Sequence, residues 1–209
     1  QISAKNGTTN TISDGTSHTD TYVDSDGNTN TVNGAIFSRD DLKLKGKGTL
    51  IVNGNTEDGI VCKNDLKIWN GNITVNAADD GIRGNDSVRI GDPDAADYSS
   101  LSVTVNTNNG SSGGDGIKTN SDEDGKGYVT INGGTLHVAP ETYENEKHSY
   151  GDYFEEPYKD LLNGHCGYTL MAANSCKVTI NGGTFEGPVR LDAGGSDWRK
   201  NEPRVIITN

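Results

Sequence analysis

An all-β, single-domain parallel β-helix is predicted by three features of this 209-residue sequence. The tripeptide Asp58-Gly59-Ile60 returns as Asp80-Gly81-Ile82 and again as Asp115-Gly116-Ile117. Behind the first two copies the chain repeats in step: Asn85-Asp86 answers Asn64-Asp65, and Val88-Arg89-Ile90 answers Leu66-Lys67-Ile68, each at an offset of 22 residues. A third alternating segment closes each copy, Ile73-Thr74-Val75 in one and Leu101 to Val105 in the next. One period therefore holds three short strands separated by Gly, Asn and Asp. Strands this short cannot bury a face alone, whereas a fixed period stacks equivalent strands of successive turns around a shared core.

Alternation with period two places Ile60, Cys62, Leu66, Ile68, Ile73 and Val75 inside the coil. It places Val61, Lys63, Lys67, Trp69 and Thr74 outside, so function is expected on the exterior. Residues 34–138 form the regular turns, starting with interior pairs Ile36 and Ser38, Leu42 and Leu44, Leu50 and Val52. Residues 1–33, rich in Thr, Asn, Asp and Gly, read as edge coil and loop. An insertion at 91–100 leaves at a corner, and a larger one at 139–167 carries Tyr143, Tyr150, Tyr153, Phe154 and Tyr158, with a short helix expected at 155–162. Residues 168–209 read as terminal turns, closing on a strand at Arg204 to Thr208. Asn53, Asn76, Asn106, Asn132 and Asn181 each follow a strand, where stacked side-chain amides can hydrogen-bond from turn to turn.

Leu, Ile, Val and Phe supply only 40 residues and the formal charge is −12, values usually read as disorder. The periodic placement of those apolar residues argues for a thin solenoid core instead. No apolar run reaches the ~18–20 residues that span a bilayer, and no basic-led apolar segment reads as a signal peptide, so the chain is expected to be mature or trimmed. Such negative charge repels phosphates and makes nucleic acid a poor partner; cations suit it better. Cys62 falls at an interior position and reads as an inert thiol, while Cys166 and Cys176 could pair in an oxidising compartment.

If the repeat stacks, Asp58, Asp80 and Asp115 form a column with Asp79 beside it. Crowded carboxylates need protons or a cation between them, and hard oxygen ligands favour Ca²⁺. The alternative is that each Asp caps backbone N–H groups at its corner. Asn64, Asp65, Asn85 and Asp86 would stack at the other end of the strand as a second ligand set, and Asp24-Ser25-Asp26-Gly27-Asn28 has the oxygen density of a cation loop or a solvated turn. Arg83 and Lys118 each follow an interior Ile and so face outward beside the acidic column. Lys63 lies on the same face, two positions beyond Val61. Such a face suits anionic polymers. The tyrosine-rich insertion could wall a groove, because aromatic rings stack on sugar faces, or could simply anchor the loop.

The run Asn53-Gly-Asn-Thr-Glu-Asp58-Gly-Ile, then Lys63-Asn-Asp65-Leu-Lys-Ile68, then Thr74-Val-Asn-Ala-Ala-Asp79-Asp80-Gly-Ile resembles the secreted bacterial carbohydrate-binding β-helix proteins similar to polysaccharide lyases of the pectate-lyase type. The resemblance covers most of 34–138. It implies a right-handed coil, Ca²⁺ at the strand-end aspartates, an extracellular location, and affinity for plant-type polysaccharides, acidic ones included. In calcium-dependent lyases a Lys near the metal removes the proton beside the sugar carboxylate, and Lys118 resembles that base in placement. The expected function is therefore calcium-dependent binding of polygalacturonate, pectin or cellulose by a monomer, through Lys63, Arg83, Lys118, Tyr143, Tyr150 and Tyr153. The alternatives are a lyase using Lys118 and Arg83, and a structural adhesin or spacer.

Overall fold

A computed structural model describes residues 1–107, 114–121, 123–139, 169–172, 177–187, 189, 191–192 and 205–208. Among these the chain forms strands, turns and loops, with no helix; the expected helix at 155–162 lies outside them. The strands run in order β1 (Ile2–Ala4), β2 (Thr9–Ser13), β3 (Thr21–Val23), β4 (Thr29–Thr31), β5 (Gly34–Ser38), β6 (Leu42–Gly46) and β7 (Thr49–Gly54). They continue as β8 (Asp58–Cys62), β9 (Asp65–Ile68), β10 (Gly71–Ala77), β11 (Ile82–Gly84), β12 (Ser87–Ile90), β13 (Leu101–Thr107) and β14 (Ile117–Thr119). The rest are β15 (Tyr128–Ile131), β16 (Thr135–Ala139), β17 (Leu170–Met171), β18 (Val178–Ile180), β19 (Thr184–Phe185), β20 (Leu191–Asp192) and β21 (Val205–Ile207).

From β5 onward, consecutive strands go to different sheets. One sheet orders β1-β6-β9-β12-β15-β18-β21, the second β19-β16-β13-β10-β7-β2, and the third β20-β17-β14-β11-β8-β5. Their pairings are parallel, which makes the fold a stack of parallel sheets of the β-solenoid kind. The registers show why the sequence repeats. Ile36, Ile60, Ile82, Ile117 and Leu170 stand on one another as a ladder. So do Leu42, Leu66, Val88, Val129 and Val178, and Val52, Val75, Val105 and Val138. These ladders close into one core in which Ile60, Ile82 and Ile117 have no exposed surface. Burying each contributes about 1.5–3 kcal/mol.

The glycine of the Asp-Gly-Ile motif has a steric cause. A Cβ on Gly81 would fall 2.1 Å from Val105 Cγ1 and 2.6 Å from the Gly116 carbonyl oxygen. Gly59 meets Val75 Cγ1 at 2.2 Å in the same way, so the corner admits no side chain. The corner asparagines form two ladders rather than one: Asn106 Nδ2 donates to Asn76 Oδ1 at 3.0 Å and Asn76 Nδ2 to Asn53 Oδ1 at 2.9 Å, while Asn181 Nδ2 donates to Asn132 Oδ1 at 2.9 Å. Asn53, Asn76 and Asn106 lie within the ends of β7, β10 and β13 in the second sheet, whereas Asn132 and Asn181 follow β15 and β18 of the first.

Two expectations are corrected. Within 1–33, β1 and β2 extend the first two sheets, and β3 and β4 form an antiparallel hairpin. Val61 is only 1% exposed although it points outward. It lies between Phe37 and Arg83 in register, and the backbone at Gly34 presses on it: a Cβ built there would meet Val61 Cγ2 at 2.7 Å. Alternation tells which face a side chain takes, not what later covers that face.

Candidate metal centre and glycan face

The corner that starts the third sheet's strands gathers the acidic motif. Asp80 N–H donates to Asp58 Oδ1 at 3.1 Å, and Asp115 N–H donates to Asp80 Oδ1 at 3.0 Å. One oxygen of Asp58 and one of Asp80 thus cap the backbone of the next turn, as the capping alternative requires. The other oxygens remain for different partners. Asp58 Oδ2 accepts from Asn33 Nδ2 at 3.0 Å and pairs with the Arg83 guanidinium. Lys118 Nζ lies 3.2 Å from Asp80 Oδ2 and 3.0 Å from Asp115 Oδ2.

Of the four aspartates expected to share an ion, three converge. Carboxylate oxygens of Asp58, Asp79 and Asp80 all lie within 4.8 Å of one another. An ion bonded at 2.3–2.6 Å can hold oxygens up to about 5 Å apart, so the donor set and its spacing fit a hard divalent cation. The electrostatics point the same way. Burial pushes the Asp58 carboxyl up from 3.8 to about 7; Arg83 works against that, and the charges of Asp80 and Asp79 add to it. A corner that resists ionising Asp58 is one that a further positive charge stabilises.

Arg83 and Lys118 stand side by side in the third sheet's ladder, in line with Val61 and Phe37. The expectation that both simply face solvent is corrected: their side chains are 15% and 25% exposed, because each reaches toward the buried aspartates. A buried carboxylate left without a partner costs several kcal/mol, more than a surface cation gains from its hydration. Burial lowers the Lys118 pKa, but Asp80 and Asp115 outweigh it and leave the ammonium above the ordinary lysine value.

The second expected ligand set is arranged differently. Asp65 accepts from Ser87 Oγ at 2.6 Å and pairs with Lys67 at 3.1 Å, while Lys67 also holds Asp41 at 2.8 Å. Burial acts to raise Asp65, yet the Ser87 and Lys67 hydrogen bonds leave its carboxyl below the usual value. Asp86 pairs with Lys126 at 3.3 Å, Asn85 Nδ2 donates to Asp86 at 3.1 Å, and Asn64 Nδ2 donates to Asp40 at 3.2 Å. Here lysines supply the positive charge. The Asp24 carboxylate is likewise spent on its own hairpin turn, accepting the N–H groups of Asp26 at 3.0 Å and Asn28 at 2.8 Å.

Cys62 is buried, with its thiol pKa raised by burial, as an inert core thiol should be. Lys63 stands away from the aspartate cluster, its Nζ 5.5 Å from the Tyr22 ring and 5.9 Å from the Phe37 ring. Tyr22 and its hairpin escaped the sequence reading, although Thr21-Tyr-Val and Thr29-Asn-Thr flanking an Asp-Gly-containing turn carry a hairpin signal. Tyr143, Tyr150, Tyr153, Cys166 and Cys176 lie outside the described residues. Among the described residues no helix is long and apolar enough to cross a membrane.

Comparison with known proteins agrees with the fold. A polysaccharide lyase-like protein from C. thermocellum, solved as a gadolinium derivative, superposes with a TM-score of 0.53 at 28% identity, covering 100% of this chain and 67% of that one. A carbohydrate-binding domain-containing protein of Acetivibrio thermocellus is 52% identical over 56 residues. That match covers 27% of this chain and 20% of the relative's length. The profile of the carbohydrate-binding domain-containing proteins matches residues 1–145, well over half of the 209, and the chain belongs to that carbohydrate-binding domain-containing family.

Proposed function

We propose that this chain is an extracellular, calcium-dependent module that binds acidic plant-type polysaccharide, polygalacturonate or pectin before cellulose. We read its coil as right-handed and single-domain, with three strands per turn of about 22 residues, the hand that parallel strand crossovers overwhelmingly take. The observation that carries the functional reading is the convergence of Asp58, Asp79 and Asp80 beside the Arg83–Lys118 ladder. Those three aspartates would hold the ion, whose chemistry there is to bind a sugar carboxylate. The structurally similar protein was solved as a gadolinium derivative, and a hard cation of that kind suits oxygen ligands such as these.

The chain's own contribution is charge and orientation. Arg83 and Lys118 spend part of their donors on buried aspartates, which fixes their side chains, and keep an outer edge exposed to solvent. On an acidic surface this edge, with the ion, is where a polyanion meets attraction rather than repulsion. Elimination would further require Lys118 to accept a proton. Held between Asp80 and Asp115, it acts as an ammonium donor, so binding is favoured over cleavage.

The test is affinity electrophoresis of the full chain through gels containing polygalacturonate, with calcium or with EDTA, alongside ultraviolet absorbance for unsaturated products. Retardation should be much stronger with calcium than with EDTA, and Lys118→Gln should weaken the calcium-dependent part about tenfold, the scale of one lost charge-assisted hydrogen bond. Absorbance should stay flat. Accumulating unsaturated product that Lys118→Gln stops would establish a lyase instead.

A further inference from the structure

We infer that the hairpin groove around Tyr22 is a second acid-sugar subsite, independent of metal, in which Arg39 and Lys63 receive a sugar carboxylate. The inference rests on the reading of the ligand as an acidic polysaccharide, and it adds a place on the chain that reading did not include. The hairpin β3–β4 leans on the third sheet through Tyr22, whose ring lies 5.0 Å from that of Phe37 at 45°. Arg39 ties the hairpin down by donating from Nη2 to the Val23 carbonyl at 2.8 Å. Between the hairpin and the corner that follows β8 and β11 opens a cavity of about 560 Å³, lined by Tyr22, Arg39, Lys63, Asn64 and Asn85 among others. Its size is that of a small-ligand pocket.

The charges select the ligand. Arg39 Cζ lies 5.7 Å and Lys63 Nζ 5.5 Å from the centre of the Tyr22 ring, so one aromatic ring gathers both cations at the groove. Neither forms an ion pair with a carboxylate among the described residues, whereas Lys67, Arg83, Lys118 and Lys126 do. Asp24 and Asp26 also line the groove, but neither forms an ion pair with Arg39 or Lys63, and the Asp24 carboxylate accepts from its own hairpin, from the N–H of Asn28 at 2.8 Å and Asn30 Nδ2 at 2.9 Å. What the groove offers is therefore two cations that are not salt-bridged to its acids, an aromatic edge and side-chain amides. That combination fits a uronate residue, with its carboxylate on the cations and its hydroxyls on the amides.

The position suits a polymer. Lys63 follows β8, and Asp58 begins it; five residues of strand separate the two sites by roughly 16 Å. A glycan several units long can reach both, and a short one only one.

Calorimetric titration of short oligogalacturonate into the full chain in EDTA tests the inference. The native chain should bind weakly without calcium, and Arg39→Gln with Lys63→Gln should weaken that binding at least about tenfold. The charge-keeping pair Arg39→Lys with Lys63→Arg should retain it, which separates lost charge from a loosened hairpin. Asp80→Asn should leave this calcium-free binding unchanged. The inference is overturned if the native chain does not bind in EDTA, if the Gln pair binds like the native chain, or if neutral cello-oligosaccharide of equal length binds as well. Binding that ignores both calcium and Asp80→Asn but vanishes in the Gln pair would uphold this subsite and remove the calcium reading.

Discussion

Replacing Ile82 with Asp should abolish folding. Ile82 has no exposed surface and sits in the middle of the ladder Ile36–Ile60–Ile82–Ile117–Leu170, with a branched aliphatic side chain directly above and below it. A carboxylate there has no cation or donor in reach. Leaving it ionised costs several kcal/mol, and protonating it still leaves a polar group in an apolar stack. Added to the lost burial, this approaches the ~5–15 kcal/mol by which domains are stable. In a solenoid each turn rests on its neighbours, so the break cannot be confined to one layer. Circular dichroism should show loss of the β spectrum and gel filtration an expanded or aggregated chain. Ile82→Val, which removes one methylene, should cost only about 0.5–1.5 kcal/mol and serves as the control.

The second large effect should come from metal removal, and its size should depend on pH. A ligand that binds only the native state adds roughly 2.7 kcal/mol at a hundredfold excess over its Kd, or about 5–10 °C in Tm for a chain this size. EDTA should remove that increment, and Asp80→Asn should make the melt insensitive to EDTA. In the metal-free chain Asp58 has a native pKa of about 7 against 3.8 when unfolded. Between those values the folded state holds a proton that the unfolded state gives up, so stability should fall as pH rises from about 4 to about 7 and level off above. Calcium binds the ionised carboxylate, so its increment should grow over the same interval. Melts at pH 5 and pH 8, with EDTA and with calcium, should show the gap between the two Tm values widening at the higher pH. A Tm indifferent to calcium at pH 8 would leave the aspartates as backbone caps alone.

The solenoid was legible because its cause is local and repeated. Ile60, Ile82 and Ile117 announce their ladder through the spacing of Asp-Gly-Ile, and Gly59 and Gly81 announce the corner because nothing larger fits against Val75 and Val105. The acidic column was legible for the same reason. What escaped is whatever depends on contact between unrelated segments. Val61 is covered because the chain at Gly34 and its ladder neighbours close over it, and alternation within β8 carries no trace of that. Arg83 and Lys118 were assigned the right face but not their partners: Arg83 pairs with Asp58 of the preceding turn, and Lys118 with Asp80 as well as its own Asp115. Lys63 obeyed the alternation too, yet its surroundings are set by Tyr22, some forty residues earlier on a hairpin hidden in a Thr- and Asn-rich stretch. The second set, Asn64, Asp65, Asn85 and Asp86, looked equivalent to the first in the repeat. Lys67 and Lys126 make it different.

The central claim is that one ion on Asp58, Asp79 and Asp80 and one acidic glycan on the adjoining face bind cooperatively. Cooperative binding is reciprocal: whatever factor calcium adds to glycan affinity, the glycan must add to calcium affinity. The direct measurement is therefore calorimetric titration of calcium into the chain with and without saturating oligogalacturonate, short enough not to gel with the metal. The account predicts one ion per chain, bound about tenfold or more tightly when the glycan is present, a coupling of roughly 1–3 kcal/mol. It predicts no such ion in Asp80→Asn. Calcium affinity that is the same with and without the glycan would contradict it.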